Sequence, residues 1–575
     1  MSIPAAPNTS PARWLPALLG IGVGHAVIVG LAVSGGRPGA DQARADEKAA
    51  KGPAEKKADA PPAKKAEEPE DDLPKNRNKA PEFEPGLPWL NTGKPLTFKD
   101  LKGKVVLLDF WTYCCINCIH IMPDLAKLEK KWANELVVIG VHSAKFETEK
   151  NSESIRKAML RYEIQHPVVN DGDQKIWEAY DCRSWPTLVV IDAEGNVVGR
   201  GSGEGLYDAL DRVIGQLVAE AKKKGVLNDK PIRFDTAAFR DKVDSPLYFP
   251  GKVLADEKSD RLFIADSTNH RIVVTDLKGQ AVAVAGTGVP GRKDGAFAAA
   301  QFDDPQGMAL VGDTLYVADR KNHLIRGLDL KAKTVKTVAG TGEQDRDRAE
   351  GGPALERGLN SPWDLYPAGD KLFVAMAGHH QIWTLDLKQM RLDPFAGDGR
   401  ENIKDGPPEI ARFAQPSGLT SDGTNLYVAD CEVSAVRKVP MDGKGRVTTL
   451  VGRGLFDFGD RDGPGRNDED KSVEAQLQHA IGVLHHEGTV YVADTYNSKL
   501  KAIDLKTNQV TTVVGGKKGD KDLPFNEPTG LSLANGKIYI ADTNAHRIRV
   551  YDLKTKALTT LPLTGVEPVK AKDEK

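Results

Sequence analysis

Hydrophobic positions along this chain follow two different rhythms. Between residues 83 and 225, continuous apolar runs alternate with segments of helical spacing. Lys104-Val-Val-Leu-Leu-Asp-Phe-Trp111 predicts a buried strand, and Ile119-His-Ile-Met-Pro-Asp-Leu-Ala-Lys-Leu128 carries its apolar residues at helical intervals. Further on, Arg183-Ser-Trp-Pro-Thr-Leu-Val-Val-Ile191 reads as an entry turn, a proline and a fully apolar strand. The turn Asp192-Ala-Glu-Gly-Asn196 and the strand Val197-Val-Gly-Arg200 then make a hairpin. A proline opening a core strand cannot donate to the ladder, so Pro186 belongs at a turn or edge, where a cis peptide is common.

From 246 to 565 the rhythm becomes a repeat of short strands. Arg261-Leu-Phe-Ile-Ala-Asp-Ser-Thr-Asn-His-Arg-Ile272 returns as Thr314-Leu-Tyr-Val-Ala-Asp-Arg-Lys-Asn-His-Leu-Ile325, and again at Lys371, Asn425, Thr489 and Lys537. A Pro and Gly pair opens most copies, as in Gln415-Pro-Ser-Gly418, and a strand ending in Gly closes them, as in Val335-Lys-Thr-Val-Ala-Gly340. Four strands per copy and six copies predict a six-bladed β-propeller. The Asp of each Ala-Asp step suits a hydrogen bond into the following turn, and the repeat histidines His270, His323, His380 and His546 suit packing or bonding across that same turn. Met376 breaks the Asp pattern in the third copy. Strand order puts the Asn-His turns and the long inter-blade connections on one face, which is therefore the expected binding surface.

The remaining segments are simpler. Residues 1–35 hold an apolar stretch from Leu15 to Val33 after Arg13, long enough to span a bilayer and longer than a usual signal core. The expectation is a single-pass membrane anchor with the rest exported to a periplasmic side; cleavage near Ala43-Arg-Ala45 would instead release a secreted protein. Residues 36–82, rich in Ala, Lys, Glu, Asp and Pro, read as a disordered charged linker. A connector spans 226–245 and a tail 566–575. At 575 residues the chain exceeds one compact core. A net charge of −2 gives no reason to expect nucleic acid as a partner. Five cysteines, an odd number, argue against a disulfide-stapled scaffold.

Chemistry concentrates in Cys115-Ile-Asn-Cys118, placed between the first buried strand and the helix. A cysteine at a helix N-terminus meets unpaired N–H groups and a positive dipole end, which favour the thiolate. A second cysteine one turn later can attack a mixed disulfide formed by the first. A zinc half-site would need a second closely spaced pair, and a structural disulfide remains the other alternative. Cys114 reads as an unpaired thiol, since adjacent cysteines rarely bridge; Cys182 and Cys431 read as small apolar fillers. The Asp- and Gly-rich connections match no calcium-loop spacing, so neither a metal nor a cofactor is assigned.

Leu108-Asp-Phe-Trp111 followed by Cys114-Cys-x-x-Cys118, with the later Trp185-Pro-Thr187, resembles the thioredoxin superfamily, most closely its TlpA-type branch. The resemblance implies Cys115 as the attacking thiolate, Cys118 as the resolving thiol, Pro186 as the cis-proline beside them, and Asp109 as the buried acid that takes the Cys118 proton through water. Trp111 and Tyr113 would shape an apolar lip around a solvent-reachable sulfur. Cys114 in place of the usual tryptophan, and Ile-Asn between the cysteines, depart from the pattern. The Ala-Asp and Asn-His-Arg-Ile signatures resemble NHL repeats. Together, and with Thr112-Tyr-Cys-Cys-Ile-Asn-Cys-Ile-His120, the chain resembles the NHL-repeat-containing thioredoxin-like proteins. The expected fold class is multidomain: an α/β thioredoxin-like domain at 83–225, then an all-β six-bladed NHL propeller at 246–565. The expected function is a membrane-tethered thiol–disulfide oxidoreductase acting on protein thiols and disulfides, with a protein partner on the propeller loop face. The alternative is a non-catalytic interaction scaffold.

Overall fold

The computed structural model describes residues 73–234, 243, 245–348, 350–466, 471–516 and 523–569. The apolar stretch from 15 to 33 and most of the charged linker lie outside the described residues. Among those described, no helix is long and apolar enough to cross a membrane.

The first unit is built on strands β1 (Asn78–Lys79), β2 (Trp89–Leu90), β3 (Val105–Trp111), β4 (Leu136–His142), β5 (Val168–Asn170), β6 (Thr187–Ile191) and β7 (Asn196–Ser202). Their order across the sheet is β1-β7-β6-β3-β4-β5-β2. The central strand β3 is enclosed along its whole length, as its unbroken apolar run requires. β4 runs parallel to it on one side and β6 antiparallel on the other. Helices α1 (Ile116–Lys131), α2 (Ser152–Arg161), α3 (Lys175–Ala179) and α4 (Tyr207–Lys223) complete the unit. Alternation along β3 sends Val106, Leu108 and Phe110 to a core shared with Trp177, Tyr180 and Cys182. Val105 and Leu107 point the other way, into a core with Leu125 and Leu128 of α1 and Ile214 of α4. Asp109 lies on this second face by the same alternation.

Six antiparallel sheets follow, spanning 252–285, 305–339, 362–396, 416–451, 482–514 and 528–560, here blades 1 to 6. Blades 2, 3 and 5 add a two-residue fifth strand, Gly295–Ala296, Gly352–Pro353 or Gly463–Pro464, where an inter-blade connection runs along the outer edge. Segments so short carry no readable period. The innermost strands surround a centre plugged by the buried Lys252, whose Nζ donates to the carbonyls of Ser417 (2.8 Å) and Ile481 (3.1 Å) and lies 3.4 Å from Asp364 Oδ2. One side chain thereby ties blade 1 to the opposite half of the ring.

The repeat Asp anchors five of the six blades. Oδ1 of Asp266, Asp319, Asp430, Asp494 and Asp542 accepts the N–H of Tyr248, Asp303, Ala414, Gln478 and Asn526, each upstream of its blade's own first strand. The other oxygen meets a cation: Arg271, Arg326, Arg437, Lys501 or Arg547. In blade 3 both partners change. Met376 Sδ takes the N–H of Asn360 (3.4 Å), and Trp383 stands seven residues on, where Arg326 and Arg437 stand after their aspartates.

The repeat histidines act across blades, not across their own turns as the sequence suggested. The N–H of Asp304 donates to His270 Nδ1 (3.3 Å), that of Ser361 to His323 (3.0 Å) and that of Gln415 to His380 (3.2 Å). Hydroxyls of Ser434 and Ser498 accept from His479 and Glu527 in the same way. His546 accepts from Phe249 (3.1 Å), closing the ring from blade 6 to blade 1. The reason is conformational: each clasp residue takes φ between 48° and 55°, which turns its side chain away from its own strand and toward the next blade.

Candidate functional site

β3 ends at Trp111, the chain turns through Thr112, Tyr113 and Cys114, and Cys115 takes the N-cap position of α1 in extended geometry. Its carbonyl accepts the N–H of Ile119 (3.2 Å), and Cys118 falls in the first helical turn. Glu149 holds this turn from below: its carboxylate accepts the Cys114 N–H (3.0 Å), the Thr112 hydroxyl (2.7 Å) and the N–H groups of Lys145 and Phe146 (2.9 Å each). All five cysteines are unpaired thiols.

The four residues assigned from sequence converge. Cys118 is wholly enclosed, and burial together with the neighbouring Cys115 sulfur pushes its thiol pKa well up. Asp109 lies beneath, pushed up to about 7 by burial with His166 pulling the other way, and its Oδ1 has no hydrogen-bond partner. The Trp185–Pro186 peptide is cis. Since Phe110 pairs with Thr187, the antiparallel register carries Pro186 alongside Trp111, at the strand end that bears the cysteines. Cys114 is also enclosed, and burial next to Glu149 and Glu432 raises its thiol. Cys182 packs on the opposite face of the sheet, away from the pair.

The solvent-reachable sulfur expected from sequence is not what the structure shows. Cys115 is 9% exposed because the propeller loop face lies directly over it. The Gln415 side-chain amide straddles Cys115, donating from Nε2 to the Cys114 carbonyl (2.8 Å) and accepting the Ile116 N–H at Oε1 (2.9 Å). Around that clamp, the Tyr113 ring meets Tyr496 edge-on, its hydroxyl reaches Glu527, and Ile116 and Ile119 pack on Trp363. Lys145 forms an enclosed pair with Glu432 (2.7 Å), and Arg161 with Glu527 (3.5 Å). His120 of α1 sits between Glu204 (2.8 Å) and Ser361 (2.6 Å). The loop face expected to meet an outside partner is engaged within the chain, since the apolar lip around the cysteines finds its cover there.

Gln415, Glu432, Glu527 and Ser361 were not singled out from sequence. Cys431, read as a filler of the other domain, also reaches this interface, where it accepts from Gln415 Nε2 (3.4 Å). A signal was present in the repeat. Phe249, Asp304, Ser361, Gln415, His479 and Glu527 all fall just before a blade's first strand, and all have φ between 49° and 68°. Their N–H groups are the ones the clasps hold. The main chain is common to the six, their side chains differ, and four of them touch the first domain. A small enclosed cavity (≈ 40 Å³) remains between the units, lined by Tyr113, Cys114, Arg161, Asp304, Arg320 and Trp363 among others. No cluster of three potential metal ligands occurs among the described residues.

Fold and site together define a thioredoxin-like dithiol domain joined to, and covered by, an NHL-repeat propeller. Residues 103–197 match the thioredoxin-like family model, and residues 302–328 and 525–551 match the NHL repeat model. The human NHL repeat-containing protein 2 is 43% identical over 498 residues, covering 79% of this chain and 67% of that protein. The chain belongs to this family of NHL repeat-containing proteins. The Arabidopsis thaliana protein SUPPRESSOR OF QUENCHING 1, chloroplastic, is 42% identical over 479 residues, 79% of this chain and 44% of that protein. The dithiol domain alone is similar to the thiol-disulfide oxidoreductase ResA of Bacillus cereus, 31% identical over 119 residues, 21% of this chain and 66% of that protein.

Proposed function

We propose that this chain is a thiol–disulfide oxidoreductase in which Cys115 attacks a substrate disulfide and Cys118 resolves the mixed disulfide. The observation that carries the reading is Cys115 at the helix cap over the enclosed Cys118 and the unpaired Asp109 carboxyl. Cys115 caps the helix that carries Cys118, and Asp109 accepts the proton of the second sulfur. The propeller is the gate. Gln415 occupies the main-chain donor and acceptor on either side of Cys115, the positions an extended substrate backbone would use. A protein substrate therefore has to displace that amide, and only one matched to the rim of the propeller gains enough contact to do so. The apolar stretch 15–33 supports a placement tethered to a membrane with the folded part exported.

The test is reduction of insulin-type disulfides by the chain, with Cys115→Ser as control. The wild type turns over and the control does not. Gln415→Ala, which opens the clamp, raises the rate on small disulfides several-fold, and Cys118→Ala holds partners as mixed disulfides on Cys115. Equal rates for wild type and Cys115→Ser would favour a second reading, a non-catalytic scaffold, which the 9% exposure of Cys115 favours.

A further inference from the structure

Beneath the dithiol, buried polar groups surround a position where one side chain is missing. Gly140 of β4 pairs with Asp109 across the parallel ladder, so their Cα substituents point to the same side of the sheet. A Cβ on Gly140 would lie 2.9 Å from Trp111 Nε1, 2.9 Å from Val168 Cγ2 and 3.4 Å from His166 Nε2. Asp109 Oδ1, Trp111 Nε1 and His166 Nε2 are all buried, and none has a hydrogen-bond partner. An acceptor, a donor and an imidazole nitrogen, each without a partner, therefore gather where Gly140 leaves no side chain between β3 and the segment before β5.

His166 is placed with care. It directly precedes Pro167, whose carbonyl accepts the Gly140 N–H (2.9 Å), and its own carbonyl accepts Asn91 Nδ2 (3.2 Å). Its second ring nitrogen, Nδ1, lies 3.3 Å from Glu129 Oε2. Glu129 is on α1 with Cys118, and Cys118, Met122, Leu125 and Glu129 share one helix face. The two ends of that face lie roughly 16 Å apart along the axis. Glu129 is 30% exposed, so the chain of groups begins at the enclosed sulfur and ends in water.

We propose that His166 and Glu129 form the proton exit of the dithiol, carrying to solvent the proton that Cys118 gives to Asp109. The inference rests on the oxidoreductase reading. In the resolving step the Cys118 S–H proton passes to the Asp109 carboxylate, and the Cys118 sulfur attacks Cys115 Sγ. The Cys115–Cys118 bond forms, the bond from Cys115 to the substrate sulfur breaks, and the substrate leaves as a thiolate. The substrate disulfide is the oxidant. The proton then moves from Asp109 to His166 Nε2, while the Nδ1 proton of His166 passes to Glu129 and on to solvent. The groups facing this path are Asp109 and Trp111 on β3, Cys118 and Glu129 on α1, and His166 before β5. His142 on β4 stands edge-on to Trp111 (4.8 Å between ring centres) and stays neutral, since burial lowers its pKa to about 3.

The experiment loads Cys115 of the full chain with thionitrobenzoate from the symmetrical aromatic disulfide and follows its release by Cys118 in a stopped flow across pH. His166→Gln and Glu129→Gln are expected to slow release on the order of tenfold or more. His166→Gln is also expected to move the release midpoint to higher pH, because His166 holds the Asp109 carboxyl down. Glu129→Asp restores most of the rate. Labelling on Cys115 with release unchanged in both rate and midpoint overturns the relay and leaves the oxidoreductase reading intact. A chain whose Cys118→Ala form takes up no label overturns both.

Discussion

Both halves of this molecule bury carboxyl groups, and they treat them in opposite ways. In the propeller, Asp319 and Asp430 are fully enclosed, yet each meets an arginine, at 2.8 Å and 3.0 Å, and a main-chain N–H. Burial raises these carboxyls while Arg326 and Arg437 oppose the rise. In the dithiol domain Asp109 is just as enclosed and has no arginine or lysine paired with it, only His166 across a space. A buried charge without a partner is costly and persists only where chemistry uses it, whereas a paired one holds structure together. Blade 3 shows that the structural role needs no charge at all, since Met376 and Trp383 fill it with sulfur and an indole.

The contrast breaks most sharply in blade 4. Arg437→Ala alone leaves the buried Asp430 carboxyl without its cation and is expected to cost about 3–5 kcal/mol in urea unfolding, more than Asp430→Ala, after which Arg437 still pairs with Asp405 (3.0 Å). Replacing both together by the blade 3 pair, Asp430→Met with Arg437→Trp, is expected to recover most of that loss. A single-variant loss below about 1 kcal/mol would remove the pairs from their anchoring role.

Asp109→Asn is expected to do the reverse. The folded pKa of Asp109, about 7, stands above the unfolded value, so the protonated acid adds nothing to the instability at low pH. The penalty grows as pH rises from the unfolded pKa through the folded one. The variant should therefore be more stable than wild type by about 2–4 kcal/mol at pH 8 and equal to it near pH 4, while disulfide exchange falls. Thermal melts at the two pH values check the first half and the insulin assay the second.

The smallest effect sharpens the picture of the clasps. His323 and His380, with pKa values lowered to about 3 mainly by burial, accept N–H bonds as neutral rings. Their contribution is complete above the unfolded pKa near 6.5 and is lost as pH falls toward 3. Changing both to serine, the residue blades 4 and 5 already use, should cost less than about 1 kcal/mol per site at pH 8 and flatten the acid side of the stability profile. A steeper acid limb in the double variant would show that the rings are not held neutral.

Much of this architecture is legible in the amino-acid sequence. The unbroken run of β3, the cysteine placed where helical spacing begins, and a six-fold repeat are local signals, and each formed as its period implied. The docking of the two units was not legible. It depends on an amide of blade 4 meeting a turn some 300 residues earlier, and nothing in the spacing of Gln415-Pro-Ser-Gly418 encodes what lies above it. The histidines were misplaced for a related reason. Their sequence neighbours suggest a bond within the turn, but a positive φ redirects the ring to the next blade. His166 was passed over because it sits alone in an irregular segment, and only the register of β3 with β4 brings it to Asp109.

The six positive-φ residues at the mouth of the propeller carry one last implication. Their backbones are gripped by the adjoining blade whatever side chain they bear, so glutamine, glutamate, serine and histidine sit there interchangeably. The chemistry of this surface is thus uncoupled from folding: a lineage can rewrite the socket one position at a time, changing what the first domain meets there, while the wheel beneath stays intact.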